Sequence, residues 1–88
     1  MTVVHKKINK EYFEAIISGK KKYELRLNDF EIAEGDTLVL EEWDNNLGEY
    51  TGRKVEKKVT YVRAFKIDEL FWTKEEVLEK GIQIISLE

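Results

Sequence analysis

The chain has 88 residues, which is room for one domain over residues 1–88 and a small core. It contains no cysteine and a single histidine, His5, so it offers no disulfide framework, no thiolate metal site and no ordinary zinc site. Its net charge of −3 conceals strong patterning: residues 1–30 hold seven Lys/Arg against four Asp/Glu, residues 31–50 hold seven acids and no Lys/Arg, residues 51–66 hold six Lys/Arg against Glu56, and the remainder is acidic again. Two basic blocks brought together by folding would make a local anion-attracting surface despite the net acidity. The other outcome of such a composition is a charged, solvated surface without a binding role. No apolar run reaches the roughly 20 residues of a membrane span, and the N-terminus lacks the apolar stretch of a signal peptide, so a cytoplasmic protein is expected.

In chain order, residues 2–7 read as a short strand centred on the β-branched Val3 and Val4. Asn9 is a candidate N-cap for a following helix, with Ile8 and Phe13 spaced as a hydrophobic staple. Phe13, Ile16 and Ile17 give that helix an apolar face, and Gly19 is expected to stop it. Beyond Gly19 the period changes to two, with Tyr23, Leu25 and Leu27 alternating with Lys22, Glu24 and Arg26, the pattern of a half-buried strand. Glu34-Gly35-Asp36 turns into a strand over residues 37–43. The stretch Asp44-Asn45-Asn46-Leu47-Gly48 reads as a hairpin loop, followed by a long strand in which Val55, Val59, Tyr61 and Phe65 share one parity. Thr73-Lys74-Glu75-Glu76 is a capping box for a short helix ending at Lys80-Gly81, and residues 82–87 read as a closing strand. No βαβ repeat supports a doubly wound sheet. The expected fold is α+β, a small mixed β-barrel of about five strands with two short helices.

The most pointed chemistry lies between Gly19 and Arg26. On a strand, Lys22, Glu24 and Arg26 form one row, and a twist or bulge beside the helix stop would turn Lys21 into the same cleft. A glutamate held between cations leaves donors for a phosphate, a carboxylate or a base edge. The same row is also a plausible exposed salt-bridge ladder with no ligand. The acidic run Glu31, Glu34, Asp36, Glu41, Glu42 and Asp44 lacks the spacing of a calcium loop and reads as a solvated face. No phosphate-binding glycine loop is present, and His5 has no nucleophile paired with it by any known spacing.

Gly19-Lys20-Lys21-Lys22-Tyr23-Glu24-Leu25-Arg26 resembles the G-x-K-x-x-E-x-R signature of ASCH domains, relatives of the PUA fold. The likeness continues through Asn28-Asp29, Gly35-Asp36, Glu42-Trp43-Asp44, Tyr50-Thr51-Gly52-Arg53 and Val59-Thr60-Tyr61. Together these resemble a compact bacterial and phage branch of that group, itself a domain of unknown function. The resemblance implies a barrel with a cleft between barrel and helix, where Lys21, Glu24 and Arg26 converge on RNA or a nucleotide-like small ligand. Lys21 would meet a phosphate or carbonyl, Arg26 a phosphate or base edge, and Glu24 would orient one of them. Trp43, Tyr50 and Arg53 are further candidates. An aromatic beside a basic block can stack a base, at about 1–3 kcal/mol, although core packing is the favoured account of Trp43 and Tyr50, and a surface salt bridge accounts equally well for Arg53.

One ASCH branch consists of acetylcytidine amidohydrolases, similar to this chain at Gly19, Lys21 and Arg26. Their nucleophilic threonine falls where this sequence has Glu24, and Glu69 is the nearest guess for their further glutamate. A hydrolase would therefore need Glu24 as a general base. No residue is assigned a catalytic role on this reading, no cofactor or metal is implied, and a monomer is assumed. A protein-interaction domain is the third reading.

Overall fold

In a computed structural model that describes residues 1–87, the elements run β1 (Val3–Asn9), α1 (Lys10–Ile17), β2 (Thr37–Asp44), β3 (Glu49–Lys58), a single 3₁₀ turn (Ile67–Glu69) and α2 (Lys74–Lys80). The three strands form one open mixed sheet with β2 in the centre. β1 runs parallel to β2, from Val3 opposite Thr37 to Asn9 opposite Trp43, and β3 runs antiparallel to β2. A parallel pair needs a crossover, and α1 with residues 18–36 supplies it.

The local signals explain the elements. Ile8 and Phe13, the staple pair, are both buried and lock the turn from β1 into α1, although the Asn9 side chain makes no capping bond. Gly19 adopts φ +82, a left-handed backbone that favours glycine, and its N–H closes onto the Ile16 carbonyl to end the helix. In the hairpin, Asp44 accepts from the Asn46 and Leu47 amides, and Gly48 closes the loop at φ +68. Thr73 and Glu76 form the reciprocal capping box that starts α2.

The core is small. Ile8, Phe13, Ile16, Leu38 and Leu40 form it, with Val4, Ile32, Val55 and Val59 packed against them. Even-numbered residues of β2 face α1 across this core, because side chains alternate along a strand.

The barrel of about five strands is not formed. Among the described residues there are three strands, and the expected strands after Gly19 and over residues 82–87 are irregular. Leu25 and Leu27, placed inward by their alternation, are 70% and 81% exposed. The physical reason is that alternation encodes which way side chains point and says nothing about a neighbouring strand. The Lys21 amide donates to the Ala15 carbonyl of α1 and the Tyr23 carbonyl accepts from the Lys21 side chain, so neither group is given to a strand ladder. The long strand also stops at Lys58, where the Val59 amide turns to the Asp36 carbonyl. No helix among the described residues is long and apolar enough to cross a membrane.

Candidate functional site

Lys21, Glu24 and Arg26 do come together. The Lys21 Nζ donates to Glu24 Oε1 at 2.6 Å and to the Tyr23 carbonyl at 3.0 Å. The Arg26 Nε donates to Glu24 Oε2 at 2.7 Å, and its Nη2 donates to the Lys7 carbonyl on β1 at 2.6 Å. Glu24 is thus gripped at both oxygens, and Arg26 ties the segment to the sheet edge. All three side chains are less than a third exposed, so these pairs are better shielded than ordinary surface salt bridges. Lys22, expected in the same row, takes no part in these bonds. The chain is not a strand here, and Lys21 reaches Glu24 from three residues away.

Beside this triad lies a hollow of about 530 Å³. Its walls come from β1 (Lys7), α1 (Tyr12), the triad segment and β2 (Trp43). The Lys7 ammonium sits 4.2 Å from the centre of the Trp43 ring, and the Lys21 ammonium lies 4.7 Å from that of Tyr23. The ionisable groups of opposite sign on these walls are three cations, Lys7, Lys21 and Arg26, and one carboxylate, Glu24. The balance favours an anion, and the aromatic walls suit a flat apolar group next to it.

Trp43 is therefore part of the hollow, while Tyr50 stands behind it. The two rings meet edge to face with centroids 4.9 Å apart, an aromatic pair across β2 and β3. Arg53 lies outside the hollow. It belongs to a second cluster, in which Nε and Nη2 donate to Glu42 at 2.9 and 2.8 Å, Nη2 also bonds Glu14 of α1, and the guanidinium covers the Phe13 ring at 4.9 Å. Thr51 adds a hydroxyl to Glu42 at 2.5 Å. A bulge makes this convergence possible. Between the Glu41–Lys54 and Trp43–Tyr50 pairs, β2 advances two residues while β3 advances four, with Gly52 at φ +93.

Glu42 is 1% exposed, against the expectation of a solvated acidic face. The Arg53 hydrogen bonds hold its carboxyl down to about 2, opposing the burial that pushes it up, and Thr51 adds to the lowering. The Arg53 guanidinium is held above its usual range, first by Glu42 and then by Glu14. Asp36 departs from the solvated reading too: it is buried, and the amides of Thr2 and Ala33 hold its carboxyl below the usual range. Glu14, Glu42 and Thr51 were missed as a group. The parity of Leu38, Leu40 and Glu42 carried a signal for Glu42, since it places the glutamate on the core face. No group of three potential metal ligands occurs among the described residues.

The triad segment also lines a larger groove of about 730 Å³, whose remaining walls are mainly apolar, among them Leu27, Phe30, Val59 and Phe65.

Comparison with known proteins places residues 4–72 in a family described as a domain of unknown function, DUF3850. The chain is also 43% identical over 63 residues to an uncharacterized 12.9 kDa protein of Escherichia phage P2, from its GpA 3′ region. That alignment covers 70% of this chain and 56% of the relative, so the chain spans little more than half of the phage protein's length. The chain belongs to the DUF3850 family.

Proposed function

We propose that the protein binds RNA or a nucleotide-like ligand in the hollow beside Lys21, Glu24 and Arg26. The observation that carries this reading is the convergence of Lys7, Lys21 and Arg26 on one cavity that is also lined by Tyr12 and Trp43. Glu24 holds Lys21 and Arg26 in place, which lowers the ordering cost of meeting a phosphate. Trp43 and the two tyrosines supply the flat apolar contact that a base requires. The resemblance of Gly19 to Arg26 to the ASCH signature supports the same ligand class. A hydrolytic role for Glu24 draws less support, since both its oxygens are already taken by cations.

The test is an amide chemical-shift titration with a short single-stranded RNA at 50 and 200 mM salt. Shifts should cluster at residues 7, 12, 21–26 and 43, and affinity should fall with salt in proportion to the phosphates engaged. Arg26→Ala should abolish most of the response. Shifts that scatter over the surface, or that persist unchanged in Arg26→Ala, would refute the reading. A protein-interaction role is the second reading, favoured by the larger, mainly apolar groove that adjoins the triad segment. It predicts that Leu27→Glu disrupts a complex without touching the RNA titration.

A further inference from the structure

We infer that the hollow is matched to a phosphate monoester, the doubly charged group of a nucleoside monophosphate or of a 5′-phosphorylated strand end, in preference to an internal phosphodiester. This rests on the binding reading above. The charged groups facing the hollow are Lys7 from β1 and Lys21, Glu24 and Arg26 from the segment after α1. Tyr12 from α1, Tyr23, Trp43 from β2 and Asn45 from the hairpin bring no countercharge. The walls therefore present a net charge of +2. A phosphodiester carries one negative charge, whereas a monoester carries about 1.5–2 near neutrality, its second ionisation falling at about pH 6.

The donor count points the same way. Arg26 uses two of its five N–H donors on Glu24 and Lys7, and Lys21 uses two of its three on Glu24 and Tyr23. The Lys7 ammonium has only an aromatic ring as partner among the described contacts. The donors that remain are enough for three terminal phosphate oxygens, one more than a phosphodiester offers outside its ester links. The volume, about 530 Å³, is in the range of sites that hold a single small ligand such as a nucleotide.

Cytidine 5′-monophosphate, cytidine, the dinucleotide CpC, and one RNA hexamer with and without a 5′-phosphate would be titrated into the labelled protein at pH 7.5 and pH 5. The monophosphate should bind at least about fivefold more tightly than CpC at pH 7.5, the effect of one further charge at close range in a wet site. The preference should shrink at pH 5, as the ligand takes up its second proton. His5, the chain's one histidine, bonds Glu41 and does not line the hollow, so it supplies no competing switch. The phosphorylated hexamer outbinding the free nucleotide would identify a strand end as the source, and the reverse order a free nucleotide. Either order supports the monoester when the phosphorylated hexamer outbinds the unphosphorylated one, and equal binding of the two hexamers, tighter than that of the monophosphate, would overturn it.

Arg26 also anchors the segment to β1, so Lys7→Gln, at an exposed position, is the safer variant. It should narrow the monophosphate preference while CpC still binds. Equal affinity for the monophosphate and CpC at both pH values, with shifts still at residues 21–26, would overturn the charge match and leave the nucleotide reading standing. No response to any of these ligands would overturn both.

Discussion

Replacing Arg53 by methionine should destabilise the protein by about 3 kcal/mol and reverse the pH dependence of its stability. Glu42 is 1% exposed and is held by three hydrogen bonds, two of them from Arg53. The substitution removes both charge-assisted bonds, each contributing about 1.5–3 kcal/mol, and strands a buried carboxylate with one hydroxyl. Breaking a buried ion pair from one side costs about 3–5 kcal/mol, and the lower end applies here because the Arg53 side chain is 48% exposed and water reaches its place. An 88-residue domain holds only about 4–13 kcal/mol in all, at roughly 0.05–0.15 kcal/mol per residue, so the loss is large. Urea unfolding followed by tryptophan fluorescence at pH 7 and pH 5 would measure it, since Trp43 adjoins Glu42 on β2.

The sign separates this account from simple loss of packing. In the native protein the carboxyl of Glu42 sits at about 2, below its unbound value of 4.5, so its contribution is complete above pH 4.5 and is lost as the pH falls toward 2. In Arg53→Met burial becomes the largest influence and pushes the carboxyl up, opposed only by the Thr51 hydroxyl and the charge of Lys10. That variant should gain stability between pH 7 and pH 5, and adding Glu42→Gln should restore part of the loss at pH 7. A loss below about 1 kcal/mol, or a variant no more stable at pH 5 than at pH 7, would refute the reasoning.

The native protein should lose stability in acid below about pH 4.5, because Glu42 and Asp36 are both held below their usual ranges, and circular dichroism from pH 5 to pH 2 would follow it. Acid sensitivity retained in Arg53→Met and lost in Asp36→Asn would instead assign the effect to Asp36. Thr73→Ala removes the capping box of α2 and should cost about 1 kcal/mol, read as faster hydrogen exchange confined to residues 74–80.

What was legible in the sequence was local. The staple of Ile8 and Phe13, the helix stop at Gly19, the hairpin at residues 44–48 and the Thr73 capping box each depend on groups within four or five residues of one another, and each stands in the structure. Lys21, Glu24 and Arg26 also lie within six residues, which is why their association was readable even though the strand expected to carry them is absent. Tertiary structure decided the rest. Whether an alternating segment joins a sheet depends on a distant partner for its backbone, and the residues after Gly19 and the apolar 82–87 segment have none among the described strands. Burial of Glu42, the engagement of Arg53 with Glu14 across α1, and the arrival of Lys7 and Trp43 at the triad all follow from the parallel pairing of β1 with β2 and the bulge against β3. The pairing of β1 with β2 joins residues 34 positions apart, and no local pattern of charge or hydropathy carries its register.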